Sequence, residues 1–322
     1  MDKRTYNRVY QLQVGVIDYS DGGFTPFVSI ESPHHMEFSS DEQVTSSGVN
    51  FNPAKVKLYN IGEDNINFLS YEGAVVVLKA GWEFDSGKIL DATATDLVYV
   101  GDIVNVNTEY QGNGDVVTIV DCREGWNVSL TNKDAQVTKG MTKEQAFKYM
   151  SGIHGIPFVV NFEKMDEKIV KKDVVDLPKR LHDAMDYLCK KASVAATEQH
   201  QGVRVTWFYY NGKVYVTDRL PTAAALNGTK RKHTVGRDRI KGTPRVGRDK
   251  KVLTRGQTNP AVKTLQVTAY LQSQMSLLDV VELEKVDSDE LGGGDYIITQ
   301  LKHRLSYEGD YWDTTFVARG VE

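Results

Sequence analysis

Alternation of apolar and polar residues is the feature that most narrows what this chain can fold into. Tyr10, Leu12, Val14 and Val16 alternate with Gln11, Gln13 and Gly15, a period of two that places the apolar set on one face of a half-buried strand. Runs of the same type follow at Pro26 to Ile30, Ala54 to Tyr59, Ala74 to Ala80, Ile89 to Val106 and Val116 to Cys122, separated by Gly, Asn, Asp and Pro clusters. Strands at this spacing predict a sandwich or barrel over the first 126 residues. The run from Ile89 is too long for one ordinary strand, so a turn or bulge is expected at Tyr99 to Asp102, with Gly101 as the residue able to adopt positive φ. Gln111-Gly112-Asn113-Gly114-Asp115 reads as a hairpin tip.

The period changes after Trp126. Thr142 and Gln145 match a capping box opening a short helix, with Ala146, Phe147 and Met150 as its apolar stripe and Gly152 as its end. Leu181, Ala184, Met185, Leu188, Cys189 and Ala192 recur at helical spacing, with Pro178 near the first turn. The runs Val205 to Tyr210 and Lys213 to Thr217 flank Asn211-Gly212, the strongest short hairpin signal. Residues 127–219 therefore read as a small α+β unit whose helix covers a small sheet. A stretch with little regular pattern, 220–259, is expected to be a basic arm or linker. Strands resume at Val262 to Leu271, Asp279 to Leu283, Tyr296 to Arg304 and Thr314 to Ala318, so residues 260–322 form a closing β unit. The expected fold class is mainly β with a smaller α+β portion: two tube-like β-barrel or sandwich domains flank a helix-plus-hairpin insertion.

Charge is unevenly spread along the chain. The whole carries −4, yet Lys230, Arg231, Lys232, Arg237, Arg239, Lys241, Arg245, Arg248, Lys250, Lys251 and Arg255 are opposed locally only by Asp238 and Asp249, so about +9 sits in this arm and about −13 elsewhere. Such segregation steers oppositely charged surfaces together. These eleven cations are the candidate protein-contact residues. Phosphate contact is the competing reading, but His233 is the one ring-bearing residue in the segment and stacking platforms for single strands are missing, which argues against nucleic acid as a partner.

Groups with catalytic spacing are scarce. His34 and His35 are adjacent and His154, His182, His200, His233 and His303 stand apart, without the paired histidines and glutamate of a zinc-protease helix. Asp18-Tyr19-Ser20-Asp21-Gly22-Gly23 has oxygen ligands but not the remaining acidic positions of a calcium loop, and a hairpin turn accounts for it. Lys241-Gly242-Thr243-Pro244 lacks the glycine spacing of a phosphate loop. Asp183 and Asp186 lie beside the apolar helical stripe, where solvation is expected. Cys122 and Cys189 sit in apolar patterns that suit buried thiols, and two cysteines suit a reducing cytosol. The polar, charged Met1 to Arg8 has no signal-peptide core, and no apolar run is long enough for a membrane span. No enzyme, cofactor, metal or membrane role is expected.

The order of the pieces carries a family likeness. Val56-Lys57-Leu58-Tyr59-Asn60-Ile61, then Glu72-Gly73-Ala74-Val75-Val76-Val77-Leu78-Lys79-Ala80-Gly81-Trp82, then Val116-Val117-Thr118-Ile119-Val120-Asp121-Cys122 resembles the first β domain of phage tail hub proteins. The middle piece is similar too, with Leu188-Cys189-Lys190-Lys191-Ala192 and Trp207-Phe208-Tyr209-Tyr210-Asn211-Gly212-Lys213-Val214-Tyr215-Val216. Gly294-Asp295-Tyr296-Ile297-Ile298-Thr299-Gln300-Leu301-Lys302-His303, followed by Trp312-Asp313-Thr314-Thr315-Phe316, resembles that family's final strand pair.

The resemblance implies a homotrimer whose six β domains form a pseudo-hexameric ring joining a threefold spike to a sixfold tail tube, a scaffold shared with the base of type VI secretion spikes. It further implies a virion tail baseplate location, with assembly in the host cytoplasm. Tail tube and central spike proteins would be partners, with baseplate wedge or tape measure proteins beyond them. Without a lysozyme or peptidase extension, the spike would be a separate chain. Three other classes compete: a sixfold distal tail or tail tube protein, a cell-wall hydrolase and a nucleic-acid-binding protein.

Overall fold

The computed structural model describes residues 7–18, 23–44, 51–83, 97–162, 164–171, 173–194, 204–210, 212–218, 231–249, 262–284 and 294–320. The fold class is mainly β. No described helix is long and apolar enough to cross a membrane.

The amino-terminal strands are β1 (Asn7–Asp18), β2 (Gly23–Glu31), β3 (Met36–Ser40), β4 (Glu42–Gln43) and β5 (Pro53–Tyr59), followed by helix α1 (Glu63–Leu69), β6 (Val75–Glu83), β7 (Leu97–Tyr110) and β8 (Val116–Arg123). They pair in the order β3-β5-β8-β7-β6-β1-β2, all antiparallel. The alternation at Tyr10, Leu12 and Val14 buries all three side chains in one core with Met36, Val56, Leu58, Val76, Leu78 and Val120, each worth about 1.5–3 kcal/mol for a large aliphatic residue. Asp18 pairs with Gly23 across the β1–β2 hairpin; the tip between them, the rejected calcium loop, lies outside the described residues.

β7 does not turn at Tyr99 to Asp102. It runs straight through, and the irregularities flank that stretch instead, with register shifts between Leu78 and Lys79 opposite it and between Ile103 and Asn105. Gly101 is needed for closeness rather than for positive φ: a Cβ there would lie 2.5 Å from the Tyr99 hydroxyl, whose ring covers it. Tyr99 in turn donates to the Asn52 carbonyl at 2.8 Å.

The middle unit holds α2 (Trp126–Ser129), β9 (Gln136–Thr138), α3 (Lys143–His154), β10 (Phe158–Asn161), β11 (Val174–Asp176), α4 (Leu181–Ala192), β12 (Thr206–Tyr210) and β13 (Lys213–Thr217). Thr142 and Gln145 form the expected capping box. The helix continues through Gly152 and stops at Gly155, whose φ of 67° supplies the left-handed cap. β12 and β13 form the expected hairpin and β10 joins β13 in parallel, giving a three-stranded sheet under α4. Leu181, Met185, Leu188, Phe147, Met150, Trp207 and Val216 make its core. Asp183 and Asp186 are exposed as expected, and Asp186 also accepts the Trp207 indole N–H at 2.8 Å, pinning helix to sheet. Both cysteines are buried and free, and burial pushes both thiols up.

The closing part contains β14 (Lys232–Val235), β15 (Arg245–Asp249), β16 (Val262–Tyr270), β17 (Val280–Leu283), β18 (Tyr296–Ser306) and β19 (Trp312–Gly320). One edge of β18 pairs with β19; the other meets β17 through Tyr296 and Ile297, β4 through Gln300 and Leu301, and β3 through Arg304 to Ser306. This strand therefore merges the two β regions into one 14-stranded sheet. Ile297, Ile298 and Leu301 enter one core with Val267, Leu277 and Phe316, while Leu305 and Trp312 enter the amino-terminal core.

Candidate assembly surface

The segment expected to be an arm is drawn into this sheet where it is described. β14 runs parallel to β17, with Lys232 opposite Val280 and Val235 opposite Leu283, and Val235 is buried in the closing core. His233 Nε2 lies 2.9 Å from Asp279 Oδ2, an oxygen that also accepts the Ser276 backbone N–H. A short 3-10 turn at Arg237–Arg239 follows, and Ile240 then bridges Ala269 while Lys241 N–H donates to the Thr268 carbonyl at 2.7 Å. β15 pairs with β16 from Arg245 opposite Gln266 to Asp249 opposite Val262. Sequence pattern did not show these strands because each is four or five residues long and Val235 is the one described side chain they bury, so no apolar period develops.

The eleven cations separate into groups by their surroundings. Lys232 is held by Glu282 Oε2 at 3.0 Å and Asp295 Oδ1 at 2.8 Å, and hydrogen bonds to Asp295 and Glu282 raise its pKa. Lys241 lies 4.8 Å above the Tyr270 ring and 3.6 Å from Asp313 Oδ2. Asp313 is almost fully buried and is also gripped by Arg304 through two bonds of 3.2 Å. These two lysines therefore neutralise carboxylates of their own chain. Arg231, Arg237, Arg239 and Arg245 are exposed, and among the described residues none is within ion-pair distance of a carboxylate. Arg248 lies on β15 with only its backbone described, and Lys230, Lys250, Lys251 and Arg255 lie outside the described residues.

A second surface escaped the sequence reading. α1 sits between β5 and β6 and packs on β1, β2 and β7; Glu63 and Asp64 occupy its first turn, where carboxylates suit the helix dipole. Phe27 on β2 meets Phe68 and Tyr71 with ring centroids 6.1 and 5.2 Å apart. Phe68 is 41% and Tyr71 58% exposed, and Glu63, Asp64 and Glu72, on the same helix and the turn after it, are exposed as well. Gly62 before two acids, then Ile66 and Leu69 three residues apart, was the available signal; seven residues are too few for a convincing helical period.

Among the described residues, the polar junction where the three cores meet is the place that most resembles catalytic chemistry. Asn52 Nδ2 donates to Glu124 Oε2 at 2.6 Å, and Asn52 Oδ1 accepts the Gln43 N–H at 3.0 Å. Ser40 donates to Glu42 Oε1 at 3.2 Å. Desolvation, and after it the charge of Glu124, pushes the Glu42 carboxyl well above the usual carboxylate range. A raised carboxyl beside another is the pattern of glycoside hydrolysis, but Glu42 is only 4% exposed, enclosed between strands where a polysaccharide has no access. Burial and the neighbouring Glu124 favour its neutral form, on a strand that pairs with β18. Among the described residues no group of three or more His, Cys, Asp or Glu side chains is placed to hold a metal ion.

No family model matches the chain, and no curated protein does. Solved structures do. A chain of the Francisella PdpA-VgrG complex in its half-lidded form superposes with a TM-score of 0.57 at 8% identity, over 98% of this chain and 59% of that one. This protein thus spans about 59% of the length of that chain. A tail protein from Neisseria meningitidis MC58 gives 0.52 at 13% identity, with 96% of both chains covered. The E. coli c3393 protein, a type VI secretion component similar in structure to the T4 bacteriophage tail proteins gp27 and gp5, gives 0.51 at 13% identity over 90% of this chain and 74% of that one. Joined through β18, the two β regions and the inserted α+β unit thus form a fold shared with phage-tail and type VI secretion structures.

Proposed function

We propose that this chain is a non-enzymatic assembly protein, the hub subunit of a phage-type tail baseplate, which adapts a threefold spike to a sixfold tail tube. The observation that carries the reading is the pair of β regions joined in one sheet by β18, each with its own core. Three copies of such a chain present six β regions, the number a sixfold tube requires, while retaining the threefold symmetry of a spike. The likeness over nearly the whole chain to tail and secretion structures supports the same reading. The spike, the tail tube and more distant baseplate proteins are its partners on this reading, and the virion tail is its location.

Mass in solution tests it. Light scattering on the purified protein is expected to give three chains of 36.1 kDa; six chains would replace the hub with a distal tail or tube protein.

A further inference from the structure

The 14-stranded sheet ends on β2 at one side and β15 at the other, and the two ends differ in chemistry. Along the β15 end, Ile240 opposite Ala269 and Arg245 opposite Gln266 place Arg237, Arg239 and Arg245 beside a single edge of β16. Val246, 39% exposed, lies next to them. Asp238 and Glu284, both near Gly236, offset part of this charge. At the β2 end stand Phe27, Phe68 and Tyr71 with Glu63, Asp64 and Glu72, and no described lysine or arginine pairs with those acids.

The geometry points to a head-to-tail contact in which Arg237, Arg239 and Arg245 of one copy dock on the Glu63–Asp64–Glu72 and Phe68–Tyr71 surface of a second copy. It rests on the oligomeric reading above and names where copies meet. Guanidinium groups pair with carboxylates and lie over aromatic faces, and arginine and aromatic residues are enriched where proteins join. The contact is heterologous, using different surfaces of each copy, so it closes a ring when the rotation permits. Side chains carry it rather than strand addition. Pro26 leaves the β2 edge without one amide donor, and the register shift opposite Gly15 makes Phe27 the extra residue there, interrupting the ladder. Nucleic acid at the arginines is the weaker alternative, since the described basic patch has no exposed ring beyond Tyr270, already under Lys241.

Two neutralised variants test the contact, R237A/R239A/R245A and E63Q/D64N/E72Q, all at exposed positions, with unfolding curves to confirm the fold. At concentrations where the wild type is assembled, each variant alone is expected to fall to monomer by native mass spectrometry, reflecting at least about a tenfold weaker contact. An equimolar mixture retains one intact junction per pair and is expected to stop at a dimer. A variant that keeps the wild-type mass overturns the contact while leaving the hub reading in place. A hexameric wild type whose variants still dissociate and complement as a dimer removes the hub reading and keeps the contact. A monomeric wild type that retards an oligonucleotide through its arginines overturns the contact in favour of nucleic acid.

Discussion

Trp312 on β19 donates its indole N–H to the Gly81 carbonyl on β6 at 3.2 Å, a bond across 231 residues of sequence. Trp82 packs edge-on against it at 6.3 Å and the Arg8 guanidinium lies 5.7 Å from its ring. The Arg8 guanidinium also donates to the Ser306 carbonyl at 2.7 Å and to the Gly309 carbonyl. The last hairpin thus serves as a wall of the first core. Trp312, 1% exposed, leaves a large cavity on removal, so Trp312→Ala is expected to cost about 3–5 kcal/mol. Urea unfolding measures it, and Trp312→Phe should recover most of the loss.

His303 is fully buried beside Thr314, 3.0 Å from its hydroxyl, and desolvation lowers its pKa to about 4. The unfolded chain takes up a proton near the ordinary value of about 6.5 and the fold does not. Stability at this site is therefore complete above pH 6.5 and declines as the pH falls towards 4, by ~3 kcal/mol in all. The urea midpoint is expected to fall between pH 7 and pH 5, and a His303→Gln variant should flatten that slope.

Glu42 has the opposite sign. Its carboxyl is raised in the fold, so the folded state holds the proton that the unfolded state loses above about pH 4.5. Its stabilising share is present below that pH and lost as pH rises through the folded value. Glu42→Gln, which fixes the neutral form, should raise the urea midpoint at pH 8 and leave it unchanged near pH 4.5.

Thr142 accepts the Gln145 backbone N–H at 3.2 Å while the Gln145 side chain accepts the Thr142 N–H at 2.9 Å. Thr142→Ala removes half of this reciprocal pair and should destabilise the protein by about 1 kcal/mol, with Thr142→Ser close to neutral. Thermal and urea unfolding of the two variants check the difference.

What the sequence disclosed follows from the range of the forces involved. The α4 stripe, the capping box at Thr142 and the hairpin around Gly212 are local signals, and each forms where its residues stand. β18 was recognisable as a strand, but no local pattern says that its free edge takes β17, β4 and β3 in succession. Arg245 and Lys232 sit in strands because β16 and β17 recruit them, which their own neighbours do not reveal. The acid–aromatic surface depends on Phe27 meeting Phe68 and Tyr71 from another strand, a contact set by tertiary folding. Glu42 and Glu124, eighty-two positions apart in the chain, come together for the same reason.

The single strand running through both β cores also has a mechanical meaning. A force applied to one β region reaches the other along Tyr296–Ser306, loading rows of backbone hydrogen bonds in parallel rather than bending a linker.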